Sequence, residues 1–527
     1  MHGRIVGLVV PSINKHMAPP EATINTTQLR DRQLQTLERE QFDVAIIGGG
    51  IYGAMLLLYA ANCGLTAVLL DRRDFGSETS FNSLRILHGG LRYLQSLDFQ
   101  RSRESICEQR WFRQEFPDLV STLPCLLPLH NHGLRRPLLM RLAFGLDRLI
   151  GYDRNAGLEI EQRLPAARII SASETRTYFP QVTTNRLVGG AVWHDAAIPD
   201  SQRLVMEILN WARSRGGIAL NYSEVTGIAV NETQVRGLEV SDRASGDRRS
   251  IAAKVVINAS GPWCEDLAAR FDASYRRTAY PSVAWNVLFN REALSEYALG
   301  VAVQKPDSHV YFLHPWKGRL LAGTGHSAVR DNMSCKVSDH DLNSMIDDLN
   351  CAIPGLALSV DQVQRVMSGI LPVRKPGSTL LSKRPVIYDH GTHGGPHGLV
   401  SISGVKLGAS RVVAENTMRA VTKRYFNGSY GESPQLCDRP ASSHGWRVSA
   451  EDPDAPEDEY RLAQLRKIIA DEMVVHIDDL VLRRSTLWEN PVAAMKFAPQ
   501  LLDLFDWDVQ RKSEELSRLR KALDVAS

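Results

Sequence analysis

The chain has 527 residues, 43% of them hydrophobic, and carries 62 basic against 59 acidic side chains for a formal charge of +3. That length accommodates two or three domains and that composition excludes general disorder, while the balanced charge gives no field for gathering nucleic acid, so a small-molecule partner is expected. The cysteines (Cys63, Cys107, Cys125, Cys264, Cys335, Cys351 and Cys437) form no paired CxxC pattern at zinc spacing; reduced thiols, a cytoplasmic setting and no metal are expected.

Residues 1–40 read as a loose extension, with Met17 as an alternative start. Their one apolar run, Ile5 to Pro11, is too brief to span a membrane and lacks a basic flank and cleavage site. No window reaches the roughly 18 to 20 apolar residues a spanning helix requires, so a soluble or peripheral protein is expected.

From Phe42 the run FDVAIIGGGIYGAMLLLYAANCGLTAVLLD predicts a buried strand at Asp43–Ile47, a glycine turn, an amphipathic helix and a second strand, Ala67–Leu70, ending in an acid. Gly48 allows the tight turn, Gly50 lets the backbone approach a pyrophosphate, and Gly53 permits close packing of helix on strand; Gly49 completes the set. The helix N-terminus then faces the phosphates. Asp71, about 20 residues on, is placed to accept ribose hydroxyls. The polar, glycine-rich stretch Thr79–Leu94 (TSFNSLRILHGGLRYL) follows directly, where a nicotinamide domain would enter another helix. It argues for FAD, with Thr79, Ser80, Ser83 and His88 as cofactor candidates.

Leu134–Ile150 (LRRPLLMRLAFGLDRLI) sets four arginines against an apolar face, the pattern of an interfacial helix. A helix covering the substrate domain with solvated arginines fits equally, given Pro137 and the short span. Ser201–Arg213 reads as a helix with Asp200 as its cap and Arg203 in its first turn. Val225 joins the cofactor candidates. The strand Lys254–Asn258 runs into a turn at Ser260 and Gly261, suited to backbone contact with a nucleotide, and Trp263 and Trp316 read as packing aromatics. The strand Gly398–Ile402 leads to Ser403–Leu407, read as opening a helix whose N-terminus stabilises negative charge on a reduced isoalloxazine; Gly404, Val405, Lys406 and Leu407 are its candidate contacts. Cys437–Glu457 is Pro-, Ser- and Asp-rich and reads as a linker. Beyond Glu459, Leu462, Leu465, Ile468 and Ile469 recur at helical spacing. Strands alternating with helices make an α/β fold.

GGGIYG, HGGLRYL, INASGPW, HPWKGRLLAGTG and SGVKL, in this order, resemble the FAD-dependent glycerol-3-phosphate dehydrogenases, and DDLVLRRSTLW resembles their helical C-terminal domain. The resemblance implies a Rossmann-like FAD-binding domain (41–95, 195–268 and 365–427) and an interleaved mixed-sheet substrate domain (96–194 and 269–364). A linker (428–458) and a small helical C-terminal domain (459–527) follow. It also implies that Gly89, Gly90 and Leu91 lie near the flavin, that Arg92 and Tyr93 face the substrate, and that Lys406 sits beside both. Departures are visible. SGILPV places Leu371 where the family carries a substrate-binding Arg, with Arg374 as the nearest replacement; Trp285 or Asn286 stands in place of a His; and GTGH places His326 near where an Asp is expected.

The reaction expected is removal of a hydride from carbon to flavin N5 while a base takes the heteroatom proton. His326, Arg92 and Lys406 are the catalytic candidates, with His88 and His314 as further histidines. The expected substrate is a secondary alcohol, glycerol 3-phosphate or a related polyol derivative, with quinone or oxygen as acceptor and peripheral contact with the inner face of the membrane. An amine or amino-acid oxidase and a non-catalytic FAD-binding scaffold are the alternatives.

Overall fold

Buried apolar runs set the frame. Phe42–Ile47 and Ala67–Leu70 are buried almost throughout, as strands covered on both faces must be. The computed structural model describes residues 28–37, 40–130, 136–302, 310–329, 333–404, 406–427, 436–440 and 458–523. Most of the expected linker lies outside these residues.

Two sheets divide the chain. The first has eight strands, in the order Val386–Asp389, Leu399–Ser403, Arg248–Asn258, Phe42–Ile47, Ala67–Leu70, Ile218–Leu220, with the hairpin Ser223–Asn231 and Gln234–Asp242 attached to Arg248–Asn258. Its central strands are parallel. The helix Ile51–Asn62 packs between Ser201–Ser214 and Ser410–Tyr425. The second sheet has nine strands, in the order Val363–Val373, Tyr280–Glu292, Arg319–Ala328, Val310–Trp316, Ala298–Ala302, Ser121–Leu129, Gly189–Ala197, Ile86–Leu87, with Arg168–Ile170 on its side. It is antiparallel except where Ala298–Ala302 meets Ser121–Leu129. The strands Gly189–Ala197 and Val363–Val373 thus belong wholly to the second sheet and run past the boundaries expected at 194 and 365. Register explains it, since both pair with second-sheet strands over nearly their whole length.

Other expectations are corrected. Within the supposed extension, Gln28–Leu37 is a helix, held by Arg30, which donates twice to Asp242 at 2.9 and 3.0 Å. Asp200 stands at the start of its helix but makes no side-chain cap bond, because its carboxylate takes Lys317 Nζ at 2.9 Å. The helix expected to open within Ser403–Leu407 begins only at its last residue, where the 3₁₀ turn Leu407–Ala409 runs directly into the helix Ser410–Tyr425. A Cβ on Gly404 would lie 2.2 Å from the Tyr52 ring, and the Lys406 carbonyl accepts the Tyr52 hydroxyl at 2.8 Å, so this backbone is committed to a side chain and not to a helical turn.

The C-terminal helices Asp458–Asp471, Pro491–Leu502 and Val509–Leu523 share one core with the first sheet, where Leu465, Ile468 and Ile469 are fully buried. Between them, Ile477–Asp479 continues into the π-helical turn Leu480–Arg484. There Arg484 grips Asp74 by two hydrogen bonds, at 2.7 and 2.8 Å, and Arg483 binds the same carboxylate. Arg203, read only as a first-turn residue, pairs with Glu472 at 2.9 Å.

Candidate active site

The glycine turn is built by close approach. Gly48 has φ +105°, and a Cβ there would lie 2.6 Å from the Ala259 carbonyl oxygen; a Cβ on Gly53 would lie 1.8 Å from that of Gly48. Gly49 N–H donates to Asp71 Oδ2 at 2.6 Å, and Arg73 N–H to Asp71 Oδ1 at 2.7 Å. Burial nevertheless pushes the Asp71 carboxyl up to about 6.

A cavity of about 480 Å³ opens from this turn toward the second sheet. Gly48, Gly50, Asp71 and Val225 line it, as do Thr79, Ser80, Ser83, Ser260 and Gly261. On the far side stand Asn286, Thr324, Leu371, Gly404, Lys406 and Leu407. Three observations fit an elongated dinucleotide here. Gly261 has open space where a Cβ would stand, the Thr79 hydroxyl is shielded with no hydrogen-bond partner among the described residues, and Arg72 lies 3.9 Å over the Trp263 ring on the cavity wall. A buried, unpaired hydroxyl costs free energy that a ligand acceptor recovers.

A second cavity of about 380 Å³ shares Tyr52, Ser83, Leu84, Lys406 and Leu407 with the first. His88, Tyr93, Arg101, Glu108, Lys383 and Arg384 line it. Lys406 Nζ sits 3.9 Å over the Tyr93 ring; burial, aided by the nearby charge of Arg92, brings its ammonium down to about 8. His88 Nδ1 lies 3.0 Å from Asp195 Oδ2, and Gly89 N–H donates to Asp195 Oδ1 at 2.7 Å. Burial would raise the Asp195 carboxyl, but these partners outweigh it and hold it below the usual range. Burial pushes Glu108 up to about 7 despite its pairing with Arg411.

Several sequence candidates stand elsewhere. Gly89, Gly90, Leu91 and Arg92 line neither cavity. Gly90, at φ +93°, starts the single helical turn Leu91–Leu94, which sends Tyr93 to the cavity and Arg92 about 100° away, while Leu91 packs beside Met140 and Phe144. His326 faces Ala284 across the sheet and lines neither cavity; Thr324, two residues earlier, takes the wall position and donates to Asn286 Oδ1 at 3.1 Å. Of Trp285 and Asn286, the asparagine faces the cavity and the tryptophan lies in the second sheet's core. His314 is buried, 3.1 Å from the Leu84 carbonyl through Nδ1, and burial takes it down to about 4, so it stays neutral. Arg374 is exposed just past the end of its strand; Arg384 lines the second cavity in its stead. Val405 lies outside the described residues. Sequence reasoning also missed Asp195, Lys383 and Tyr52. Only Tyr52, inside GGGIYG, carried a signal, and its partner lies 354 residues away.

Residues 43–409 match the family described as FAD dependent oxidoreductase. The chain belongs to that family. It is 27% identical over 410 residues to a glycerol-3-phosphate dehydrogenase of Synechocystis, covering 74% of this chain and 71% of that protein. It is also 27% identical over 438 residues to the aerobic glycerol-3-phosphate dehydrogenase of Staphylococcus aureus, covering 81% and 74%. The fold matches the glycerol-3-phosphate dehydrogenase of Bacillus halodurans complexed with FAD, with a TM-score of 0.71 and 21% identity, covering 95% of this chain and 98% of that one. The protein is therefore an FAD-dependent oxidoreductase, and the first cavity, at the family's nucleotide motif, is the place its residues offer the cofactor. Bound FAD supplies a two-electron acceptor for carbon oxidation.

Proposed function

We propose that this flavoprotein oxidises the secondary alcohol of a small anionic polyol derivative, glycerol 3-phosphate or a close relative, by hydride transfer. The observation that carries this reading is the second cavity, where Arg101, Lys383 and Arg384 are gathered together with Lys406, which stands in the wall shared with the nucleotide cavity. A phosphate needs several cationic donors, and this set supplies them although Leu371 stands where the resemblance leads one to expect an Arg. The likeness to the glycerol-3-phosphate dehydrogenases of Synechocystis and Staphylococcus aureus supports the same substrate.

The chain's own residues have separable tasks. Arg384 and Lys383, exposed where the second cavity opens, attract and orient the anion. Lys406, in the walls of both cavities, takes the hydroxyl proton, since a group of pKa near the working pH is the effective base. Asn286, donating to the Asn82 carbonyl at 3.3 Å, orients the oxidised carbon's oxygen. Quinone or oxygen receives the electrons.

The test is anaerobic bleaching of the flavin absorbance, near about 450 nm, by glycerol 3-phosphate, glycerol, glycine and proline. Bleaching by glycerol 3-phosphate at least about tenfold faster than by glycerol is expected, tenfold being roughly one charged contact. Bleaching by an amine alone would replace this reading with amine oxidation. Bleaching only by dithionite would make the protein a binding scaffold.

We also propose peripheral contact with an anionic lipid surface through the helix Pro137–Ile150. No described helix is long and apolar enough to cross a membrane, but Leu138, Leu142 and Leu149 are 67%, 60% and 72% exposed, beside the exposed Arg141 and Arg148. Such a face gains free energy at a lipid interface. Co-sedimentation with phosphatidylglycerol vesicles should fall severalfold in L142E; equal sedimentation of both proteins refutes the contact.

A further inference from the structure

Behind the turn that carries Ser260 and Gly261 runs a chain of buried polar side chains that the chemistry above does not use. Asp272, His390, Ser401 and Asn258 are each at most 5% exposed. Asp272 Oδ2 lies 2.6 Å from His390 Nδ1, and His390 Nε2 lies 2.9 Å from Ser401 Oγ. Asn258 Nδ2 donates to Ser401 Oγ at 3.2 Å, and Ser260 Oγ donates to Asn258 Oδ1 at 2.7 Å. One protonation pattern satisfies every atom. His390 is neutral with its proton on Nδ1 shared with Asp272, Nε2 accepts the Ser401 hydroxyl, and Ser401 Oγ accepts from Asn258.

Serine, histidine and aspartate in this order have the composition of a hydrolytic triad. Ser401, however, is buried and lines neither cavity, which keeps its hydroxyl away from a substrate bound in either. The chain leads to the cofactor cavity instead, because Ser260 is on the wall and the neighbouring Ala259 carbonyl packs against Gly48.

We propose that His390 is a positioning residue for FAD: through Ser401 and Asn258 it fixes the Ser260 turn against the glycine turn, and only its neutral form does so. The inference rests on cofactor binding and not on the identity of the substrate. His390 faces Asp272 at the end of the helix Cys264–Phe271, Asp389, Tyr388 and His393 from its own turn, and Tyr275, whose hydroxyl is bound to Glu265. Burial lowers its pKa below the ordinary histidine value, against the pull of Asp272. The sign follows. A histidine with a depressed pKa keeps its neutral, relay-competent form at neutral pH and loses it only as pH falls through that depressed pKa, below the ordinary value of about 6.5. Protonated Nε2 would donate to Ser401 Oγ, forcing the serine proton away and crowding the Asn258 amide on one oxygen.

The experiment follows release of flavin fluorescence from the holoprotein after dilution, between about pH 5 and 9, the span over which histidines titrate. The wild type should release FAD faster as pH falls. H390Q should release it about tenfold faster at pH 8, as expected for one lost hydrogen bond, and with little pH dependence. D272N, which removes the carboxylate that favours protonation, should move the wild-type midpoint to lower pH. If H390Q folds poorly, the D272N midpoint decides alone. Wild-type release rates with unchanged pH dependence in H390Q, or an unmoved midpoint in D272N, would overturn the proposal.

Discussion

Lys406 shows how one side chain's setting fixes a measurable property. Burial and the Arg92 charge bring its ammonium to about 8, so a rate that needs the free amine should rise with pH through that value and level off above it. In R92Q the opposing charge is gone, and the midpoint should move to higher pH. K406M should lose about a hundredfold or more in kcat together with the pH dependence. Stopped-flow flavin reduction across pH reads all three, and a K406M profile that keeps its midpoint would remove Lys406 as the base. The lysine was legible in SGVKL, and Asp71 in the position after the second strand. His326 and Arg374 were not, because a motif gives a residue's distance along the chain but not the face of a strand or the residue at which the strand ends. Arg384 serves the cavity only because the chain leaves its strand at Val373 and returns.

Among the elements, the strand, turn and helix from Phe42 to Asn62 were readable in position because a buried run and close-packed glycines are local patterns; the helix, expected to be amphipathic, is instead buried on nearly every face between two other helices. The π-helical turn Leu480–Arg484 was not. Its meaning lies in side chains that meet Asp74 some 400 residues earlier. Arg484 and Asp74 are at most 1% exposed, so removing Arg484 strips two charge-assisted hydrogen bonds from a buried carboxylate that keeps only Arg483 and Asn221, at a cost of about 2–3 kcal/mol, below that of a wholly unpaired buried charge. R484M should therefore lower the thermal midpoint by several degrees and weaken flavin retention, because Asp74 follows Asp71 by one short turn. Calorimetry and flavin absorbance check it together. The double variant D74N/R484M should recover part of the loss, since both charges then leave the interior.

At the scale of the whole molecule, the alternation of strands and helices announced an α/β fold, but the division into two sheets became visible only through pairing. Ile86–Leu87 joins the second sheet within 20 residues of a strand of the first, and no composition shift marks that crossing. Both cavities lie where these crossings bring the sheets together, so their walls draw on segments from Gly48 to Leu407 and Asn416. The charge pairing of Asp74 carries a consequence for synthesis. Its arginines leave the ribosome some 400 residues after the glycine turn, so for most of translation the nascent nucleotide domain holds a carboxylate that cannot yet be neutralised. Flavin supplied to stalled chains lacking the last helices should bind weakly. On this reading tight capture of the cofactor awaits the last helices, and a product truncated before Arg483 should retain less flavin than the full chain, however well its glycine turn is formed.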